Sequence, residues 1–504
     1  QELAGFAKTK LLAPGEKDVV TITFATTDMA SFDAYDAAWI MEEGEYTIRV
    51  GNSSRNTEAV AVIDLDEQVT TLQLKRLMRD TIAVRELHHM IPIFDIEFDF
   101  GVPAIPFRIM LQAENFKKEL VEYEVMRRTL MDKRKDEVLT LEDVKAGSAT
   151  LDELTAQLTV EEMAELCVGT ERRNGDGNVI GSASSCVPGA AGDTTSSLLE
   201  TRKVPNLIQA DGPAGLRLNK VSSVSFTGKV KGIEPNISCM KYLPELVKKI
   251  MLGNPDSPNL LYQFTTAFPS GISLASSWNL ELAEEVGNAV GKEMECYGVT
   301  YWLAPGLNIH RNPLCGRNFE YYSEDPLVSG KFAAAITKGV QKNRGCYVTL
   351  KHFCCNNQED NRNKTNVNVN ERALREIYLK GFEIAVKEAG PGAIMSSYNK
   401  VNGKYVNNSY RLLTQVLRNE WGFDGLVMTD WFATGRKYGN PAHAIASGND
   451  LIMPGSAGAV DEIVKAVSKG VILEEDVKRS AANVLRGVLS SRIYQGFTRM
   501  HMKK

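Results

Sequence analysis

Asp211, the pair Lys351 and His352, Tyr398, and Asp430 with Trp431 share a local pattern. Each closes a short apolar run with a side chain able to donate, accept or attack. The clearest case is Gly425-Leu-Val-Met-Thr-Asp-Trp431, opened by a glycine and ended by a carboxylate and an indole. A carboxylate so placed can act as a nucleophile, and an adjacent aromatic ring can stack on a substrate face. Asp211 sits in Ala-Asp-Gly-Pro, Lys351-His352 in Lys-His-Phe, and Tyr398 in Ser-Ser-Tyr-Asn. Donors and acceptors for hydroxyl groups, with one attacking carboxylate, suit the hydrolysis of a glycoside at its anomeric carbon. Each residue alone also has a plainer reading. Asp430 could cap a following helix, Asp211 could belong to the turn at Gly212-Pro213, Tyr398 could be core, and a lone histidine is more often a satisfied core residue.

What favours the chemical reading is the series of elements that would carry these residues. From about 150 onward, apolar strand patterns alternate with amphipathic helices. The strands are expected over 207–211, 271–276, 301–305, 347–352, 393–398, 426–430 and 451–454. Helices are expected over 280–296, 371–388, 410–420 and 460–469. Asp325-Pro326 and Asn370-Glu371 have the cap chemistry that starts a helix. About eight strand–helix units imply an α/β fold with a (β/α)8 TIM-like barrel, whose strand ends meet on one rim. The chain has no Gly-rich phosphate loop, so a nucleotide-binding sheet is disfavoured.

Before the barrel, residues 1–78 show short alternating strands at 6–12, 19–24, 46–50, 59–65 and 69–74, separated by turns. This is an all-β sandwich pattern. Residues 79–149 read as a connecting arm with a charged helix over 119–137; the run 91–100 has no assignment. The barrel is expected over 150–495 and a tail over 496–504. Between the Asp211 motif and Phe268, residues 218–261 exceed an ordinary loop and are expected to border the pocket.

Composition removes other classes. The net charge is −5 over 504 residues, with 43% hydrophobic and 24% charged residues. That disfavours nucleic acid as a partner. Eight cysteines without paired C-x-x-C spacing suggest neither a disulfide scaffold nor a zinc site, and Cys354-Cys355 is expected to line a packed or pocket wall. No apolar run is long enough for a membrane span, and no leader pattern opens the chain. A cytoplasmic, reduced protein without metal or cofactor is expected. The opening on a strand pattern suggests that the chain begins partway through a module.

Several runs resemble glycoside hydrolase family 3. They are Ala210-Asp-Gly-Pro-Ala-Gly-Leu-Arg217, Gly316-Arg-Asn-Phe-Glu320, Lys351-His-Phe-Cys-Cys-Asn-Asn-Gln-Glu-Asp-Asn-Arg362, Glu371-Arg-Ala-Leu-Arg-Glu-Ile-Tyr378, Met395-Ser-Ser-Tyr-Asn399 and Trp421 to Trp431. The run Glu43 to Ser54 resembles the fibronectin type III-like module attached to many glycoside hydrolases. The resemblance implies a retaining, exo-acting β-glucosidase with Asp430 as nucleophile. Asp211, Arg317, Lys351, His352 and Tyr398 would then hold the sugar, with Arg217, Arg362 and Trp431 completing the wall.

Two departures bear on mechanism. Members that cleave N-acetylglucosamine carry Lys-His-Phe-Pro-Gly-His-Gly, whose second histidine belongs to an acid/base dyad. Here Cys354-Cys355-Asn356 follows Lys-His-Phe. The glucosidase branch takes its general acid, a Glu, from a separate α/β sandwich domain. Here the module precedes the barrel, as in permuted members, so the acid-bearing sandwich would lie upstream of Gln1 and act as a partner. Glu320 is expected to order Arg317, and Glu359 to order Arg362. A β-xylosidase, a non-catalytic carbohydrate-binding fragment and a homo-oligomer stay open.

Overall fold

A computed structural model describes residues 2–78, 107–129, 137–170, 187–228, 230–234, 242, 244–435 and 438–492. The unassigned run 91–100 and the expected tail 496–504 lie outside them. The chain divides into two compact units, Gln1–Glu122 with Asn368–Glu376, and Tyr123–Val367 with Ile377–Lys504.

The first unit holds two sheets. Ser31–Asp33, Ala38–Met41, Val69–Gln73 and Glu119–Leu120 form one, and Gly44–Ser53, Asn56–Leu65 and Arg108–Leu111 the other. Met41 and Val69 of the first sheet share a small core with Leu65 of the second. The expected strands at 46–50, 59–65 and 69–74 are present, whereas 6–12 and 19–24 form none. Several of their apolar residues face solvent: Leu11 is 98% exposed and Val19 is 91% exposed. Alternation alone does not make a strand without something to pack against. The helix expected over 119–137 is likewise absent from its described part, where Glu119–Leu120 pairs with Leu72–Gln73. Arg127 and Arg128 instead form ion pairs with Asp476 and Asp152 of the second unit's own chain segment, to which both arginines belong.

The second unit is a ring of strands. Ile208–Ala210, Tyr301–Trp302, Tyr347–Phe353, Ala393–Ser396 and Leu426–Thr429 pair in parallel, in that order. Beyond Leu426–Thr429 the ring continues through parallel bridges from Met428 to Leu451 and from Ile452 to Val168. It closes through Gly169 with Thr194 and through Gly192–Asp193, which pairs antiparallel with Ile208–Gln209. One member therefore runs against the rest, a departure from an all-parallel barrel. Closure is tight. A Cβ on Gly169 would lie 2.3 Å from the Pro454 carbonyl oxygen, so only glycine allows the two chains to meet.

Helices wrap the ring where the sequence places caps. Asp325 accepts from the Val328 N–H with Pro326 in the first turn, and Asn279, Asn440 and Ser456 cap their helices in the same way, as Asn370 does for Glu371–Ala373 of the first unit. Each such cap contributes about 1 kcal/mol. Both faces of the central strands are buried, which explains their unbroken apolar runs. The strand expected over 271–276 is a helix instead, with Gly271, Leu274 and Ala275 buried. That spacing is helical, and Ser270 stands at its N-cap position. Residues 218–261 contain a small antiparallel sheet of Val221–Val224, Val230–Gly232 and, at its far edge, Leu260–Tyr262.

Candidate active site

Asp211, Lys351, His352, Tyr398 and Asp430 all stand at or just past the carboxyl ends of ring strands, as a barrel site requires. Asp211 follows Ile208–Ala210, and its two oxygens are both taken by cations. Lys351 Nζ lies 2.9 Å from Oδ1, and Arg217 Nη2 lies 2.6 Å from Oδ2. Burial would raise its pKa, but Lys351 and Arg217 outweigh that and hold it well below the usual carboxylate range. Glu320 binds Arg317 through one oxygen. Its other oxygen is buried, 4.0 Å from Lys351 Nζ. Glu359 holds Arg362 at 2.8 Å, and the Arg362 guanidinium lies over the Tyr398 ring at 4.3 Å.

Asp430 differs from these three carboxylates. Its Oδ1 accepts the Trp431 N–H at 2.7 Å, while Oδ2 is buried without a hydrogen-bond partner. No helix starts here; the next begins at Pro441 and is capped by Asn440, so Asp430 is not a helix cap. Burial raises the Asp430 pKa, and Arg317, Arg362, Lys351 and the Trp431 N–H offset this only in part. His352 Nε2 is 3.7 Å from Oδ2. Burial, with Arg317, Lys351 and Arg362 nearby, pushes the imidazole well below its ordinary pKa. The histidine is therefore neutral, and that contact is not an ion pair. Asp430 is the one carboxylate of the group with no cation of its own.

The remaining wall residues are packed rather than open. Trp431 is 3% exposed, its indole N–H donates to the Ala191 carbonyl at 3.1 Å, and its ring lies against Gly192. Its ring is thus a buried support and not an exposed platform. The Tyr398 hydroxyl donates to the Trp431 carbonyl at 2.7 Å. Cys354 and Cys355 are buried free thiols.

Three polar residues of the site went unmarked in the sequence: Asn308, Tyr321 and Asn356. The Asn308 carboxamide bonds both the N–H and the carbonyl of His352, at 2.8 and 3.0 Å. Tyr321 Oη lies 3.1 Å from His352 Nδ1, and Asn356 Nδ2 donates to Tyr321 Oη at 3.0 Å. The only signal for Tyr321 and Asn356 was position, directly after Gly316–Glu320 and inside Lys351–Arg362; Asn308 had none. Among the described residues no cluster of three or more His, Cys, Asp or Glu side chains could hold a metal ion, and no helix is long and apolar enough to cross a membrane.

Four carboxylates (Asp211, Glu320, Glu359, Asp430) meet four cations (Arg217, Arg317, Lys351, Arg362), so the site has no large net charge. Such a site favours an uncharged, hydroxyl-rich ligand over a phosphate or a carboxylate.

Residues 259–487 match the model of the glycosyl hydrolase family 3 N-terminal domain, and residues 1–54 match that of a fibronectin type III-like domain. The chain is 33% identical to a β-glucosidase A from Butyrivibrio fibrisolvens over 99% of its own length and 54% of that protein's. Among solved structures, a β-glucosidase from Paenibacillus barengoltzii superposes with a TM-score of 0.73 at 32% identity, over 98% of this chain and 50% of the other. A glucose complex of β-glucosidase 3B from Thermotoga neapolitana gives a TM-score of 0.56 at 43% identity, over 69% of this chain and 43% of the other. The chain spans about half the length of the curated relatives it matches.

Proposed function

The chain belongs to glycoside hydrolase family 3, and on that premise we propose that it carries the sugar-binding and nucleophilic half of a retaining, exo-acting β-glucosidase. The observation that carries this reading is Asp430 Oδ2, a buried carboxylate oxygen with no partner among residues suited to bind hydroxyls. In the proposed reaction Oδ2 forms a bond to the anomeric carbon as the bond to the aglycone oxygen breaks. The aglycone takes a proton and leaves, and water later releases the sugar from the ester with inversion a second time. Asp211, Lys351, Arg317 and His352 hold the ring hydroxyls, with Arg217, Arg362, Tyr398 and Trp431 supporting them. Names of relatives support glucose as the ring bound.

The proton donor is proposed to be a Glu outside this set. Lys351 and Arg217 hold Asp211 well below the usual carboxylate range, which makes it a poor acid, and Glu320 and Glu359 are each occupied by an arginine. Retention needs a second carboxyl about 5 to 5.5 Å from the first. A glucoside with an activated leaving group needs little protonation, so the chain itself is expected to react with a 2-fluoroglucoside of that kind. Peptide mass spectrometry should then find the label on Asp430, and a label on any other residue would refute the assignment.

A further inference from the structure

We propose that Tyr321, held by Asn356, fixes the tautomer of His352, keeping Nδ1 as an acceptor so that an Nε2–H faces the sugar beside Asp430. The proposal rests on the reading above for what Nε2–H meets, and on hydrogen-bond accounting for the rest. The Asn356 amide nitrogen has two protons and two acceptors. One is Glu359 Oε1 at 3.0 Å, and the other is Tyr321 Oη at 3.0 Å. Glu359 is ion-paired with Arg362 and can only accept, so it orients the Asn356 amide with nitrogen toward both. Tyr321 Oη therefore receives a proton from Asn356 and must place its own elsewhere. Burial holds the phenol above its ordinary pKa, so that proton stays on the ring oxygen.

Two acceptors stand within reach, His352 Nδ1 at 3.1 Å and the Asn356 carbonyl at 3.3 Å. Donation to Nδ1 is the shorter, and it leaves Nε2 as the protonated nitrogen. The opposite tautomer would give Tyr321 Oη two donors while setting the Nε2 lone pair against Asp430 Oδ2, 3.7 Å away. That distance exceeds a hydrogen bond, so Nε2–H is directed toward a substrate hydroxyl and leaves the nucleophilic oxygen unclaimed. The backbone of His352 cannot turn to compensate, because Asn308 grips its N–H and carbonyl together. Tyr321 and Asn356 are thus positioning residues that act through His352.

The test reads the imidazole itself. In the chain labelled with 15N-histidine, two-bond proton–nitrogen correlation without substrate should show His352 with Nδ1 unprotonated and Nε2 protonated at pH 7, the signal being assigned by its loss in His352→Gln. Tyr321→Phe should mix the tautomers and lower kcat/KM for an activated aryl glucoside about tenfold, with KM rising more than kcat falls. Asn356→Asp should reverse the chain: its carboxylate takes the Tyr321 proton, and Nδ1 becomes the protonated nitrogen. A wild-type Nδ1–H form, or an unchanged pattern in both variants, would overturn the proposal. Because the nitrogen signals are read without turnover, failure here is separable from failure of Asp430 to become labelled.

Discussion

The rim at Asp211 and the rim at Asp430 are built alike and end differently. Both carboxylates follow a buried ring strand and both lose hydration, although the Asp211 side chain is 23% exposed and that of Asp430 10%. At Asp211 two cations approach within hydrogen-bond distance and drive the pKa down. At Asp430 the cations are present but already committed to Glu320, Glu359 and Asp211, so burial prevails and the pKa rises. Asp430 is the deeper of the two, but what reverses the direction of the shift is partner assignment. A carboxylate clamped by Lys351 and Arg217 is a rigid acceptor for hydroxyl protons. A carboxylate with a free oxygen and no cation of its own suits the proposed role of nucleophile. On the proposed reading, the chain separates binding from attack by deciding which acid is given a cation.

The largest break in this contrast is Asp430→Asn, which leaves the shape and removes the attacking oxygen's charge. Hydrolysis is expected to fall at least about a thousandfold. Stability should move the other way. A buried carboxylate with a raised pKa binds its proton more tightly when folded, so the wild type loses stability as pH rises from the unfolded carboxylate value through the folded one. The neutral amide escapes that loss, so the variant is expected to melt higher at pH 7. Thermal unfolding of both proteins at pH 4 and pH 7 decides: an equal gap at the two values would show that Asp430 is not held in an unfavourable charged state.

Lys351→Met blurs the comparison from the middle, because Lys351 stabilises the charge on both acids. Activity should drop about a hundredfold through lost hydroxyl binding and a less ionised Asp430. Since attack requires the charged form, the acid limb of kcat/KM should shift to higher pH. Asp211 should respond in the stability profile. A depressed pKa stabilises the fold above the unfolded carboxylate value, and that contribution is lost as pH falls through the folded one. With only Arg217 left, the acid-induced loss should begin at higher pH than in wild type. A pH–rate profile whose acid limb stays in place would remove Lys351 from the account of Asp430.

Much of this could be read from the chain before any coordinates. Leu426–Thr429 and Ala393–Ser396 announce buried parallel strands by unbroken apolar runs, and Asp325-Pro326 announces a helix start; all three hold. Gly271–Ser276 misled because six small and apolar residues fit either period, and burial of 271, 274 and 275 is visible only after folding. The antiparallel Gly192–Asp193 member was illegible because two residues carry no periodicity. At the site, residues at strand ends were legible. Asn308, Tyr321 and Asn356 were not, since their role depends on partners up to 44 positions away, as for Asn308 and His352. Trp431 was legible as a neighbour of Asp430 but not as a buried donor to Ala191, a contact 240 positions distant.

The smallest perturbation asks whether the free oxygen of Asp430 is held in place by its own backbone. The Trp431 peptide is gripped at both ends: its N–H is taken by Asp430 Oδ1, and its carbonyl accepts the Tyr398 hydroxyl. Tyr398→Phe removes that hydroxyl alone. The ring that Arg362 covers at 4.3 Å remains, so the cation stays where it is. A buried carbonyl left without its donor costs about 1 to 3 kcal/mol, and only part of that reaches the reaction, as Asp430 samples orientations in which Oδ2 misses the anomeric carbon. The hydroxyl also interacts with the Asp430 carboxylate, so the expected result is a fall of about tenfold in kcat, little change in KM, and an acid limb moved to higher pH. A loss beyond about a hundredfold would mean that the hydroxyl acts on the substrate as well, and the division between clamped and free carboxylates would then have to include a phenol on the catalytic side.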